Sequence, residues 1–231
     1  MHREHPAYGH RRIAIHLGIN HKRIQRVMAK FDLRPPRRRT AHVTTRSTTP
    51  CPYLNLLKAL PTITHPHQVW CSDLTRLVYR GTVWYLATIE DIASRQIVAH
   101  RIGKHHDSHL VLATLQQALA TGAKPGIFHS DQGNEFMAQR CTDYLTQQGI
   151  QISVSDVGSP WQNGFKESFY GRFKEELGDI DRFDCVGQFI EAIHQQIHYY
   201  NQHRIHTVLK MPPAVFAAQA ASDTCLQKMG T

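Results

Sequence analysis

The stretch VWCSDLTRLVYRGTVWYLATIEDIASRQIVAHRIG (69–103) decides the fold class. It reads as three successive β-rich runs, 69–80, 82–93 and 95–103, with turns marked by Gly81 and by Ser94-Arg95. Downstream the texture changes. SHLVLATLQQALAT (108–121) reads as a helix with Ser108 as its cap, GIFHS (126–130) as a short strand and FMAQRCTDYLTQQG (136–149) as a second helix. QISVS (151–155) supplies one more strand, GSPWQNGFKESFYGRFKEEL (158–177) a loop running into a helix, and FIEAIHQQIHYYNQ (189–202) another helix. A three-strand meander followed by helix, strand, helix, strand and helix is an α/β order, and no internal repeat interrupts it.

Upstream, residues 6–33 look helical in two pieces. Ile13 and Leu17, then Ile24, Val27 and Phe31, recur at three- and four-residue spacing, and Leu-Gly-Ile-Asn (17–20) forms a short turn with Asn20 as N-cap of the second helix. Two short helices, a tight turn and the basic residues Lys22, Arg23 and Arg26 on the second suggest a helix-turn-helix. The same pattern also suits a basic hairpin that merely packs on the main domain. Arg34-Pro-Pro-Arg37-Arg38-Arg39 then opens a Pro/Thr-rich segment. The reading divides the chain into a basic helical region (1–33), a basic linker with a short helix at 54–60 (34–64), a core with C-terminal helices (65–218) and a tail (219–231).

Charge supports this division. Residues 1–47 hold 12 of the 27 Lys and Arg residues against only Glu4 and Asp32, whereas the remainder is close to neutral. Positive charge gathered at one end predicts a polyanionic partner, of which nucleic acid is the commonest. No apolar run is long enough for a membrane span, and MHREHPAYGHRR has no apolar signal region. The five cysteines are scattered, odd in number and never in a CxxC pair, which points away from a disulfide framework and toward a reducing cytoplasm. His2, His5, His10, His16 and His21 raise the idea of zinc. No cysteine precedes Cys51, however, and a histidine-rich helical surface is the better reading.

Three carboxylates fall where a site could be built. Asp73 lies inside the first strand, where aspartate disfavours β structure; Asp131 comes as the fourth strand ends; Glu167 lies in the first turns of a helix. Carboxylates gathered from distant parts of a chain are how proteins hold paired divalent cations for phosphoryl transfer, and hard oxygens suit Mg²⁺. Simpler roles stand beside this one: Asp73 paired with Arg76 on a strand, Asp131-Gln-Gly as a turn, and Glu167 with Lys174 as surface charges. Composition and spacing leave the choice open.

HPHQVWCSDLT, ATIEDIASRQIVAH, IFHSDQGNEF, SPWQNGFKESFYGRFKEEL and YYNQHRIHTVLKMPPAVF occur in the order seen in bacterial insertion-sequence transposases with a retroviral-integrase-type core. The chain resembles the catalytic open reading frame of the insertion-sequence-three type over about residues 65–217, and its N-terminal region resembles the preceding helix-turn-helix. Asp131 and Glu167 have 35 residues between them, as in the family's acidic triad, and Lys174 stands seven after Glu167, where the family has Lys or Arg.

The resemblance implies a ribonuclease-H-like α/β fold, a mixed five-stranded sheet flanked by helices. It makes Asp73, Asp131 and Glu167 the metal ligands, with two Mg²⁺ ions when DNA is bound and Mn²⁺ as a substitute. It makes Lys174 a phosphate contact, shared with Lys22, Arg23, Arg26, Arg37, Arg38 and Arg39. Helical spacing puts Glu167, Tyr170 or Gly171, and Lys174 on one face, and Phe165, Phe169 and Phe173 on another suited to the core. Asn163 caps this helix or touches DNA, the cap being the simpler role, Gly133 allows a close approach by DNA, and Asp91 stays outside the triad with Ser94-Arg95.

The implied activity is a DDE transposase that cuts at transposon ends and joins 3′-hydroxyls to target DNA. It would work as a bacterial, nucleoid-associated homo-oligomer, fused to or assembled with an upstream-frame product. Relatives usually carry more sequence before HREHPAYGHRR, so a truncated, non-catalytic frame that occupies transposon ends and represses the full enzyme is the alternative. Another nuclease of this fold, such as a junction resolvase, fits YNQHRIHTVLKMPP less well.

Overall fold

The computed structural model describes residues 5–35, 51–156 and 164–229, without the side chains of residues 165, 167 and 224–229. The meander is present as β1 (Val69–Tyr79), β2 (Thr82–Asp91) and β3 (Ile97–Gly103), all antiparallel, with Asp73 opposite Thr88. The β1–β2 turn places both Arg80 (φ 46°) and Gly81 (φ 76°) in the left-handed region, the twist that suits a two-residue hairpin loop. β4 (Ile127–Ser130) and β5 (Gln151–Val154) run parallel to β1, and the sheet order is β3-β2-β1-β4-β5. This is the mixed five-stranded sheet expected from the sequence.

Side chains alternate across a strand, so each face has its own core. On one face α3 (Ser108–Leu119) contributes Val111, Leu115 and Ala118 to a cluster with Trp70, Ile89, Ala99 and Phe128. On the other, α6 (Gly164–Leu177) and α7 (Val186–Gln202) bring Phe169, Tyr170, Phe173, Phe189 and Ile193 against Leu77, Tyr79, Trp84 and Leu86. Leu77 and Tyr79 share their face with Cys71 and Asp73 of β1, and Trp84 and Leu86 share theirs with Thr88 and Glu90 of β2. Asp73 therefore looks toward the layer that carries α6.

The expected helix at 136–149 is instead two helices, α4 (Asn134–Met137) and α5 (Gln139–Gln147). Ala138 is extended between them (φ −58°, ψ 134°), and the break lets Phe136, Cys141 and Leu145 all enter one cluster. The cap of α3 is Asp107 rather than Ser108: Asp107 is extended, and its Oδ1 accepts from the Leu110 N–H at 3.0 Å. β2 stops at Asp91 because that carboxylate closes the next turn. Its Oδ1 accepts from the Ser94 N–H and hydroxyl, each at 2.7 Å, and its Oδ2 accepts from the His67 N–H at 2.5 Å. Both oxygens are thus engaged, which accounts for Asp91 structurally.

At the N-terminus α1 (His10–Leu17) and α2 (His21–Lys30) form the expected hairpin, and Asn20 caps α2 by accepting from the Lys22 N–H at 2.9 Å. Ile13, Ala14, Ile24 and Met28 pack with Tyr8 and with Ile205, which follows α7. The Ile205 N–H donates to the Tyr8 hydroxyl at 2.7 Å, and Arg12 Nε donates to the Ile205 carbonyl at 3.0 Å. Next door, the buried Arg204 donates from Nε to both carboxylate oxygens of Glu176 on α6, at 2.7 and 2.9 Å. The hairpin is thereby tied, through one buried arginine, to α6. A last helix, α8 (Pro213–Met229), starts with proline at its first position, where no backbone donor is needed.

Candidate active site

β1 and β4 place the first two carboxylates. Their parallel register pairs Val69 with Ile127 and Cys71 with His129. Two residues further on come Asp73, still within β1, and Asp131, just past the end of β4, and the charge of Asp131 acts on Asp73. Backbone donors orient both: the Leu74 N–H donates to Asp73 Oδ1 at 2.8 Å and the Gly133 N–H to Asp131 Oδ1 at 3.0 Å. No hydrogen bond among the described residues engages Oδ2 of either. Burial pushes the Asp73 carboxyl up to about 7, the negative charge of Asp131 adds to this, and Lys166 opposes it. Partial burial also raises Asp131, against the Gly133 N–H and the positive charge of His106. Two neighbouring carboxylates, Asp73 half-buried and Asp131 exposed, each raised above its ordinary value, could favour a cation between them.

α6 is held over Asp73 by its buried face. Phe169, Tyr170 and Phe173 are each less than 7% exposed. Tyr170, one of the two residues that helical spacing put on a face with Glu167 and Lys174, is turned to the sheet, and its hydroxyl donates to the Asp73 carbonyl at 2.5 Å. The Glu167 backbone belongs to the first turns of the same helix; its side chain lies outside the described residues. Lys174 is exposed one turn beyond Tyr170. Burial lowers its pKa, attraction to Asp73 opposes this and repulsion from Arg76 adds to it. Lys22, Arg23 and Arg26 lie exposed on α2, a separate element, and Arg37, Arg38 and Arg39 lie outside the described residues.

Other residues of the HSDQGNEF motif serve the geometry. His129 is fully buried, with its ring nitrogens 2.9 Å from Ser153 Oγ and 3.1 Å from Ser155 Oγ, and burial pushes its pKa down to about 4. It is a neutral pin between β4 and the end of β5. Gln132 donates to the Ser155 carbonyl at 3.1 Å. A Cβ at Gly133 would come 2.5 Å from Glu135 Oε1, so a side chain there would displace that carboxylate. Glu135 was not singled out in the sequence, although it stands two residues after that glycine. Its Oε1 lies 3.4 Å from His106 Nε2, and its charge is one of those that raise Asp131's neighbour Asp73. Among the described residues no group of three or more His, Cys, Asp and Glu side chains could hold a metal.

Two family models described as integrase core domain match residues 63–160 and 148–213. A transposase-like protein of Haemophilus influenzae is 33% identical over 205 residues, covering 87% of this chain and 94% of that protein. The chain belongs to the integrase-core transposase family. Similar too are the 31 kDa protein of insertion element IS600 from Shigella sonnei, 32% identical over 90% of this chain and 80% of that one, and the transposase for insertion sequence element IS904 of Lactococcus lactis, 34% identical over 67% and 62%. The catalytic core domain of HTLV-2 integrase, solved in complex with magnesium, superposes with a TM-score of 0.57 at 20% identity, covering 66% of this transposase and 97% of that chain. A chain of the simian T-cell lymphotropic virus intasome gives 0.60 at 17%, covering 94% and 72%. These likenesses establish the ribonuclease-H-like fold of the transposase. No helix among the described residues is long and apolar enough to cross a membrane.

Proposed function

We propose that this transposase cuts DNA at the ends of a mobile element and joins the 3′-hydroxyls to target DNA, with Asp73, Asp131 and Glu167 as its acidic triad. The observation that carries this reading is the β1–β4 register, which brings Asp73 and Asp131 side by side with Oδ1 of each tied to a backbone N–H. An all-oxygen, carboxylate donor set with raised pKa values fits Mg²⁺, or Mn²⁺ in its place, better than zinc. Bound there, a divalent pair supplies activation of the attacking hydroxyl and stabilisation of the departing 3′ oxygen in an in-line displacement.

The chain's own groups do the rest. The Leu74 and Gly133 N–H groups fix the two aspartates, and the Tyr170 hydroxyl fixes α6 against the Asp73 backbone so that Glu167 can complete the set. Lys174 and Arg76 meet the phosphates beside the cleaved bond. Lys22, Arg23 and Arg26, with Arg37, Arg38 and Arg39 of the linker, hold the backbone of the terminal repeat. In this reading residues 1–33 bind DNA, 34–64 follow its backbone, 65–218 carry the chemistry and 219–231 form the tail, in a homo-oligomer assembled on two ends, with an upstream-frame product fused or bound.

Purified wild-type chain and the Asp131→Asn variant, each with labelled end DNA and Mg²⁺ or Mn²⁺, test the assignment. The wild type should give strand-transfer products, and the variant should shift the DNA equally while giving none. Joining that persists in the variant would refute the site, and a wild type that only shifts DNA would favour the repressor.

A further inference from the structure

Lys166 is fully buried, although it lies in the first turn of α6 among residues that read as helix surface. A buried ammonium is costly unless it is paired and hydrogen-bonded. Its partners come from β2: Thr88 Oγ1 at 2.5 Å and the buried Glu90 at 3.8 Å from Nζ to Oε2. The rings of Phe169 and Tyr170 lie under the ammonium at 5.2 and 5.3 Å. Thr88 is also the residue opposite Asp73 in the β1–β2 register.

Donor bookkeeping orders these contacts. The ammonium can only donate, so Thr88 Oγ1 accepts from Lys166 and turns its own hydrogen to the Tyr170 oxygen, 2.8 Å away. Tyr170 then donates its one hydrogen to the Asp73 carbonyl. A directed chain of hydrogen bonds thus runs Lys166, Thr88, Tyr170, Asp73, with Glu90 as the ion-pair partner of the ammonium. Two of its members sit on α6 on either side of Glu167, and its last member is the first aspartate of the site.

The pair makes a poor stabiliser. Glu90 Oε2 has no hydrogen-bond partner among the described residues, and buried ion pairs with incomplete hydrogen bonding are often no better than apolar residues of similar volume. It does, however, fix geometry. Successive helix residues differ by about 100° of rotation, so anchoring Lys166 and Tyr170 on the sheet sets the direction in which Glu167 leaves the helix.

We infer that Lys166, with Glu90 and Thr88, is a positioning residue for the transposition reaction: the buried pair sets the axial position and rotation of the first turn of α6, and with it the placement of Glu167 over Asp73 and Asp131. This rests on the triad proposed above.

The decisive variant replaces both charges, Lys166→Met with Glu90→Leu, so that no lone buried charge remains. Its melting midpoint and end-DNA affinity should match the wild type. Its strand-transfer rate at saturating metal should fall about 10–100-fold, the scale of a small misplacement at a reacting centre, and half-maximal Mg²⁺ concentration and Mn²⁺ binding in the DNA complex should both shift to weaker values. Joining at the wild-type rate with wild-type metal dependence would overturn the inference. Should the double variant fail to fold, Thr88→Val decides: it breaks the chain between Lys166 and Tyr170 at constant shape, and the same weakened metal dependence is expected, whereas wild-type behaviour overturns the inference. Asp131→Asn run in parallel separates the two levels, because joining that survives there refutes the triad itself.

Discussion

Replacing Arg204 by Met tests the joint between the N-terminal hairpin and the catalytic layer. The Arg204 side chain is 1% exposed and that of Glu176 8%, with Nη2 of the arginine 2.6 Å from Oε1 in addition to the two bonds from Nε. Burial alone would disfavour the Arg204 charge, but Glu176 outweighs it and its pKa rises. Arg12 faces the same glutamate: burial, then the repulsion of Arg204 and Arg172, pushes it down to about 10, and Glu176 opposes this. Without Arg204 the carboxylate keeps its burial and loses its bidentate partner. Breaking a pair of this kind costs about 3–5 kcal/mol. At about 2–4 °C per kcal/mol for a chain of this size, the melting midpoint should fall by roughly 6–20 °C. Urea unfolding and calorimetry measure this, and Glu176→Leu added to Arg204→Met should restore most of the loss. The adjacent Ile205 bonds to Tyr8 and Arg12 should loosen as well, so that backbone amides of α1 and α2 exchange hydrogen faster. A loss below about 1 kcal/mol, the worth of an exposed pair, would refute the reasoning.

Two further outcomes follow from the geometry. His129 is neutral in the fold with a pKa near 4, against about 6.5 when unfolded, so its contribution is complete above pH 6.5 and is lost as pH falls toward 4. At up to about 1.4 kcal/mol per pH unit, the wild type should lose roughly 3 kcal/mol more than His129→Asn between pH 7 and 4 in urea titrations, and equal acid sensitivity would contradict the buried neutral ring. Replacing Lys22, Arg23 and Arg26 by Ala should weaken DNA binding about equally for all sequences. The slope of log affinity against log salt should shrink by about 0.9 for each phosphate no longer neutralised, and an unchanged slope would remove α2 from the DNA interface.

The architecture was largely legible because its signals are local. Gly81 and Ser94-Arg95 punctuate the meander, alternation gives each strand its faces, and the aspartates stand where strands seldom carry them. What escaped depends on packing across the sheet. Nothing in NEFMAQRC marks Ala138 as extended; the break exists because Phe136 and Cys141 reach one cluster. Asp107 and Ser108 are both good caps, and only the extended backbone at Asp107 chooses between them. Helical spacing left Tyr170 or Gly171 on the face of Glu167 and Lys174, and only a carbonyl 97 residues away shows what Tyr170 binds. Lys166 carries the same difficulty further: a lysine in an amphipathic helix reads as surface, and its burial follows only from the acceptors that Thr88 and Glu90 present on the facing strand.

Whether Asp73 and Asp131 form a cation site completed by Glu167 is tested most directly by crystals of the wild-type chain with end DNA and Mn²⁺, measured at the manganese absorption edge. Anomalous peaks within coordinating distance of the Asp73 and Asp131 carboxylates, with Glu167 joining them, are the predicted result. A fully occupied DNA complex with no peak between the two aspartates would contradict it.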